Sequence, residues 1–128
     1  MIIDDDSDDR YFFKSALAEI DNSIRCIQAG GGEESLELLH KAEVLPEIIF
    51  LDVNMPCVNG HDTLKALKKN QCLRNIPVVM YSTSFSEDSI YEFYRCGAHA
   101  CLIKPINISE LPRQIMAIVE SVDAKMHH

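Results

Sequence analysis

Four places in this 128-residue sequence carry side chains that could work together chemically: the acids Asp4, Asp5 and Asp6, the acid Asp52, the hydroxyl of Ser82 and the ammonium of Lys104. Two like charges about 4 Å apart repel by about 1 kcal/mol in water and about 4 kcal/mol at an effective dielectric of about 20. A carboxylate cluster therefore either takes up protons or collects a cation. Hard oxygen donors with open positions suit Mg²⁺, which keeps several waters and leaves room for phosphate oxygens. A carboxylate beside such an ion can attack phosphorus and become an acyl phosphate. The charge on the transferring phosphoryl oxygens then needs electrostatic partners. Ser82 can donate a hydrogen bond to one of those oxygens, and Lys104 can face another as a point charge. Taken singly, each residue has a plainer reading: a solvated acidic loop that caps a helix, a strand-end hydroxyl, an exposed lysine. A calcium loop fails, because its glycine position falls on Asp9 and its closing glutamate on Ser15.

The elements that must position these groups follow from hydrophobic periodicity. Ile2-Ile3 opens the chain as a short strand ending in the acids. Phe12, Phe13, Ala16, Leu17 and Ile20 then share one helix face, with Ser7 or Asp8 as the expected cap. Ile24 to Gln28 alternates as a strand, and Gly30-Gly31-Gly32 breaks it. Glu33 to Ala42 reads as a helix. Glu47 to Leu51 is too short for a helix and apolar enough for a central strand, ended by Asp52. Pro56 to Gly60 is turn chemistry, and His61 to Asn70 a helix. Val78 to Tyr81 is a second buried strand, ended by Ser82. Ser86 caps a helix through Cys96, and Gly97 stops it. Cys101 to Ile103 is the last strand, ended by Lys104-Pro105. Leu111, Ile115, Ile118, Val119 and Val122 line one face of a final helix. Five strands alternating with five helices predict a parallel sheet covered on both faces. Ligands of such sheets bind outside the carboxyl ends of the strands, which is where all four chemical features fall.

Composition narrows the function. Twenty acidic against twelve basic residues leave a net charge of −8, which argues against a nucleic-acid binder. No apolar run approaches the roughly 18 residues of a membrane span, and no secretory leader is expected where Met1-Ile2-Ile3 runs straight into acids. Cys26, Cys57, Cys72, Cys96 and Cys101 form no C-x-x-C pair, so they read as reduced, mostly buried thiols of a cytoplasmic protein. Residues 1–122 read as one domain and 123–128 as a C-terminal tail, with His127-His128 set aside as a tag remnant.

The Asp4-Asp5 pair, Asp52 in D-x-x-M-P-x-x-x-G, the run Pro77 to Ser82, and Lys104-Pro105, in this order and spacing, resemble the response-regulator receiver domain over essentially the whole chain. The acidic string through Asp8-Asp9-Arg10 is most similar to stand-alone receivers, including those paired with phytochrome kinases. The resemblance implies a doubly wound (βα)5 flavodoxin-like α/β fold with strand order 2-1-3-4-5. It implies a two-component response regulator whose Asp52 is phosphorylated by a sensor histidine kinase, phytochrome-type among the choices, or by a phosphotransfer protein. Mg²⁺ is then held directly by Asp5 and Asp52, by Asn54 through its backbone carbonyl and by Asp4 through water. Asp6 is a third acid that a one-residue shift would exchange with these. Ser82, with Thr83 beside it, is the switch hydroxyl, and Lys104 the phosphate contact. The molecule is a phosphorylation-dependent switch that dephosphorylates itself, not a turnover enzyme. It acts as a monomer or homodimer, without an output domain, nucleic acid or membrane. Receivers commonly carry Tyr or Phe where this chain has Cys101, so the usual coupled movement of hydroxyl and ring cannot occur in that form. They usually hold the Lys-Pro bond cis, whereas peptide energetics alone favours trans at Lys104–Pro105. The alternative function is a small Mg²⁺-dependent phosphatase of haloacid-dehalogenase type. It needs D-x-D-x-[T/V] after the first strand, and Asp8 stands at the last position. A flavodoxin-like phosphate cradle is disfavoured by five acids in the same loop.

Overall fold

Ile49–Asp52 (β3) and Val78–Ser82 (β4), the two longest strands with every residue buried, lie side by side at the centre of a parallel sheet. The computed structural model describes residues 1–55 and 59–126; of the turn expected over Pro56 to Gly60, residues 56–58 lie outside them. Ile2–Ile3 (β1), Gln28–Ala29 (β2) and Ala100–Ile103 (β5) complete the sheet in the order β2-β1-β3-β4-β5. The intervening helices are Ser7–Ile20 (α1), Gly32–Lys41 (α2), Gly60–Lys69 (α3) and Glu87–Arg95 (α4). A 3₁₀ turn at Ile108–Glu110 leads into Leu111–Met126 (α5).

Strand alternation sorts the core into two layers. Ile3, Ile49, Leu51, Val78 and Met80 meet Leu39, Leu64, Leu67 and Phe93 from α2, α3 and α4. Ile2, Phe50, Val79 and Tyr81 face the other way, onto Phe13 and Ala16 of α1 and Leu111 and Ile115 of α5. Phe13, Phe50 and Tyr81 pack ring against ring, with centroids 4.7–6.4 Å apart. By the same alternation Asp52 shares the face of Phe50, whereas Ser82 shares that of Met80, opposite its neighbour Tyr81.

Several local boundaries differ from the sequence expectation. The second strand pairs only at Gln28 and Ala29, not over Ile24 to Gln28, because its one neighbour β1 offers just Ile2 and Ile3 as partners. The cap of α1 is Asp6, whose carboxylate accepts from the N–H groups of Asp8 at 2.8 Å and Asp9 at 3.4 Å. Ser7 is already helical, so the last extended residue takes the cap. Helix α5 continues past Val122 to Met126, making most of the expected tail helical, since nothing in Asp123-Ala124-Lys125 breaks a helix. Of the four cysteines described, Cys26, Cys96 and Cys101 are half-buried and Cys72 is exposed; all are free thiols, so the expectation of burial holds only in part. Among the described residues no peptide bond is cis, and no helix is long and apolar enough to cross a membrane. Ser86 does cap α4, in a reciprocal pair with Ser89. Gly97 follows that helix at φ 101°, a backbone region that glycine enters without strain.

Candidate phosphoryl-transfer site

The site begins with the adjacency of β1 and β3. Ile3 pairs with Leu51, so the residues that follow, Asp4 just past β1 and Asp52 at the end of β3, stand side by side. Asp4, Asp5 and Asp52 each offer a carboxylate oxygen within 4.8 Å of the others. Asp4 is fully enclosed and Asp52 nearly so, while Asp5 is exposed. Total enclosure does not suit Asp4 as a hydrolase nucleophile. Asp6, by contrast, is spent on the helix cap, and its own N–H donates to Asp4 Oδ1 at 3.0 Å.

The cation comes from the far side of β4. The backbone N–H of Lys104 donates to the Ser82 carbonyl at 2.7 Å, which extends the β4–β5 pairing one step beyond the sheet. From there the Lys104 ammonium donates to Asp4 Oδ2 and Asp9 Oδ2, both at 2.8 Å, and lies 3.5 Å from Asp52 Oδ1. The same ammonium sits 5.2 Å from the centre of the Tyr81 ring. Burial pushes the Tyr81 phenol up to about 12. Asp9 is the participant that residue types alone did not single out. It stands in the first turn of α1, and only the phase of that helix brings it over the rim. Arg10 adds a bond to the Asp4 carbonyl at 2.6 Å, fixing the strand-to-helix turn from the other side.

Electrostatics follow from this geometry. Burial, and then the charge of Asp4, push the Asp52 carboxyl up to about 6, against the opposing effects of Lys104 and the Asn54 N–H. Burial works against the charged form of Lys104. The hydrogen bonds to Asp4 and Asp9 and the charges of Asp4 and Asp52 outweigh it and raise its pKa above the ordinary lysine value.

The loop after Asp52 is held from both ends. The Asn54 N–H donates to Asp52 Oδ1 at 3.4 Å, and Met55 is buried in the core. Gly60 returns the chain to β3, its N–H donating to the Val53 carbonyl at 3.0 Å. A Cβ at Gly60 would stand 2.8 Å from Val53 Cα and closer still to the Asp52 carbonyl oxygen, so only glycine lets α3 start this near to the site. Ser82, fully buried, donates to the Ser84 carbonyl at 2.9 Å, and the Asn54 amide reaches its oxygen at 3.5 Å. Thr83 is exposed beyond the strand end. Cys101, opposite Met80 on β5, packs against the α2–α4 side of the core. The structure thus brings together Asp4, Asp5, Asp52, Asn54, Ser82 and Lys104, adds Asp9, and leaves Asp6 and Thr83 outside.

The hard-oxygen donor set of Asp4, Asp5 and Asp52 fits a divalent cation such as Mg²⁺. A second cation there would relieve the repulsion from Asp4 that adds to burial in raising the Asp52 pKa.

Comparison with known proteins agrees with this fold. The response regulator receiver domain matches residues 1–116. The probable methanogenesis regulatory protein FilR2 of Methanothrix harundinacea is 38% identical over 76 residues, which cover 59% of this chain and 49% of that protein. The chain therefore spans only about half of that relative. The chemotaxis protein CheY of Pseudomonas aeruginosa is 28% identical over 123 residues, 96% of this chain and 97% of that one. Among solved structures, the phosphorylated cyanobacterial phytochrome response regulator RcpA superposes with a TM-score of 0.83 at 28% identity, covering 93% of this chain and 89% of that one.

Opposite stability effects are expected from the two charges at the centre. Because the folded-state pKa of Asp52 lies above its unfolded value, stability falls as pH rises from about 4 to about 6 and stays lower above that. In Mg²⁺-free buffer, Asp52→Asn should be more stable than the parent by on the order of 1–3 kcal/mol at pH 7. That difference should shrink to nothing below about pH 4. Lys104→Met should lose about 3 kcal/mol at pH 7, since it leaves buried Asp4 without its cation. Urea unfolding across pH measures both; two neutral substitutions would refute the electrostatic account.

Proposed function

The chain belongs to the response regulator receiver domain family, and from that premise we propose that Asp52 is the residue through which it receives its signal. A carboxylate oxygen of Asp52 forms a bond to the phosphorus of a phosphohistidine as the P–N bond breaks. The donor imidazole keeps the electron pair and takes a proton from solvent. The observation that carries this reading is the Asp52 carboxylate at the end of the buried central strand, with two further carboxylates and the Lys104 ammonium gathered around it. The Asp52 pKa of about 6 leaves the nucleophile ionised at neutral pH and above the ordinary range for a carboxylate, which favours its attack.

In this reading Asp5 and Asp52 bind Mg²⁺ directly, Asn54 through its backbone carbonyl and Asp4 through water, and the ion supplies charge neutralisation for the phosphoryl oxygens. Lys104 leaves Asp52 to meet a phosphoryl oxygen while remaining anchored by Asp4 and Asp9. Ser82 turns from the Ser84 carbonyl toward another, and Thr83 moves with it. Water later hydrolyses the acyl phosphate on the same chain, so the protein turns over no external substrate. The partner is a sensor histidine kinase or a phosphotransfer protein in the cytoplasm, and similarity to a phytochrome response regulator favours a phytochrome-type kinase.

The decisive measurement is intact-mass spectrometry after incubation with acetyl phosphate and Mg²⁺. The parent should gain one phosphoryl group, labile to hydroxylamine as acyl phosphates are, and Asp52→Asn should gain none. An equal adduct on the variant would move the phosphorylation site elsewhere.

The output surface can be tested separately. Ser82 leads through Ser84 to Phe85, which packs edge-on against Phe93 of α4 with ring centroids 6.1 Å apart. On the outer side of that helix Tyr91 and Tyr94 are exposed, and they offer a partner two aromatic rings. Beryllofluoride should alter amide exchange over residues 84–96 and 100–112. Protection confined to the acidic loop would make the chain a phosphate relay rather than a switch.

A further inference from the structure

At the α3–α4 seam, a second group of ligand-bearing side chains shares no residue with the acidic rim. His61 is the second residue of α3. Glu92 and Cys96 stand one turn apart at the end of α4, so they project from the same side of that helix. Their donor atoms, a ring nitrogen, a carboxylate oxygen and a thiol sulfur, lie within 4.8 Å of one another, and all three residues are half-buried. His61 Nε2 is 3.4 Å from Cys96 Sγ. Two donors sharing a tetrahedral zinc ion, at the usual Zn–N and Zn–S bond lengths, stand about 3.6 Å apart. The His61 ring is held against the Phe93 ring, centroids 5.7 Å apart at 81°, which orients it before any ion arrives. Among the described residues Glu92 is engaged by Arg95 alone, which donates to both of its carboxylate oxygens, at 3.1 and 3.4 Å, in an exposed pair that costs little to release.

We propose that His61, Glu92 and Cys96 form a binding site for a zinc-class divalent ion that ties α3 to α4, with a fourth position open to water. The mixed nitrogen, sulfur and oxygen donors select against Mg²⁺ and Ca²⁺, which take oxygen ligands, and in favour of Zn²⁺ and its chemical relatives. On binding, the Cys96 thiol gives its proton to solvent and the thiolate ligates the ion; no electron is transferred. Two ligands four residues apart on one helix and a third on its neighbour make a clamp across two elements, and the site can be tested without phosphorylating Asp52.

Cobalt(II) is the probe, added to the full chain with excess Mg²⁺ to keep the acidic rim filled and a non-thiol reductant to keep the cysteines reduced. A thiolate-to-cobalt charge-transfer band in the near ultraviolet should grow to one equivalent and be bleached by one equivalent of Zn²⁺. It should be absent in Cys96→Ser. His61→Gln and Glu92→Gln should bind more weakly by well over about tenfold, the effect that even outer-shell partners of metal ligands carry. Zn²⁺ should raise the melting temperature of the parent but not of Cys96→Ser, whose fold needs no metal. No band in the parent, a band that survives Cys96→Ser, or parental affinity in His61→Gln would each overturn the site. A surviving band would place the ion on another thiol, such as exposed Cys72.

Discussion

One ammonium among three carboxylates sets the terms for this structure. Asp4 is wholly enclosed and Asp52 nearly so, and burying two such groups together is unfavourable unless a cation is brought in with them. Lys104 meets both, and Asp9 as well. To reach them it must come from the strand on the other side of β4, at a fixed step beyond the sheet. The phase of α1 must also bring Asp9 over the rim. The order of strands, the start of the first helix and the exit of the last strand are thus tied to one charge balance. That balance is incomplete: burial first, and then the charge of Asp4, still push the Asp52 carboxyl up to about 6. The repulsion that remains between Asp52 and Asp4 is what a metal ion can discharge.

Residue types at the ends of apolar runs made most of the site legible beforehand. Asp52, Ser82 and Lys104 each close a strand of a parallel sheet, and strand ends on one rim are fixed by topology rather than by packing detail. The division of labour among the acids was not legible. Asp6 and Asp9 differ in role because one caps α1 and the other lies within its first turn, and only the exact first helical residue decides which. The second strand was misplaced for a related reason. Its pattern supports pairing over Ile24 to Gln28, but β1 has just two residues to offer it. Cys26, Cys96 and Cys101 were expected inside and are only half-buried, since a small thiol fits a boundary as well as a core. The cluster of His61, Glu92 and Cys96 carries no sequence motif, because its members come together only when α3 and α4 pack side by side.

The path from the site to the surface is short and aromatic. With Cys101 where a ring commonly stands in the family, the structure offers Phe85 in the β4–α4 loop, seated on Phe93, which in turn meets His61. Ser82 is bound to the loop carrying Phe85 through Ser84. A change at the hydroxyl therefore reaches the buried face of α4 through the loop backbone. A coupling of this kind shifts populations only by the difference in contacts between its two arrangements.

Tyr81 gives the molecule a property unrelated to its signalling. The sequence contains no tryptophan and four tyrosines. Tyr11, Tyr91 and Tyr94 are exposed, whereas Tyr81 is buried between Phe13 and Phe50 with the Lys104 ammonium over its ring. A rigid phenol in an asymmetric field contributes to near-ultraviolet circular dichroism far more than mobile surface phenols do. Its pKa near 12 keeps it neutral through the working range of pH. The chain therefore contains its own optical probe at the centre of the site, where displacement of a single lysine changes the field on one chromophore, with no label and no competing indole.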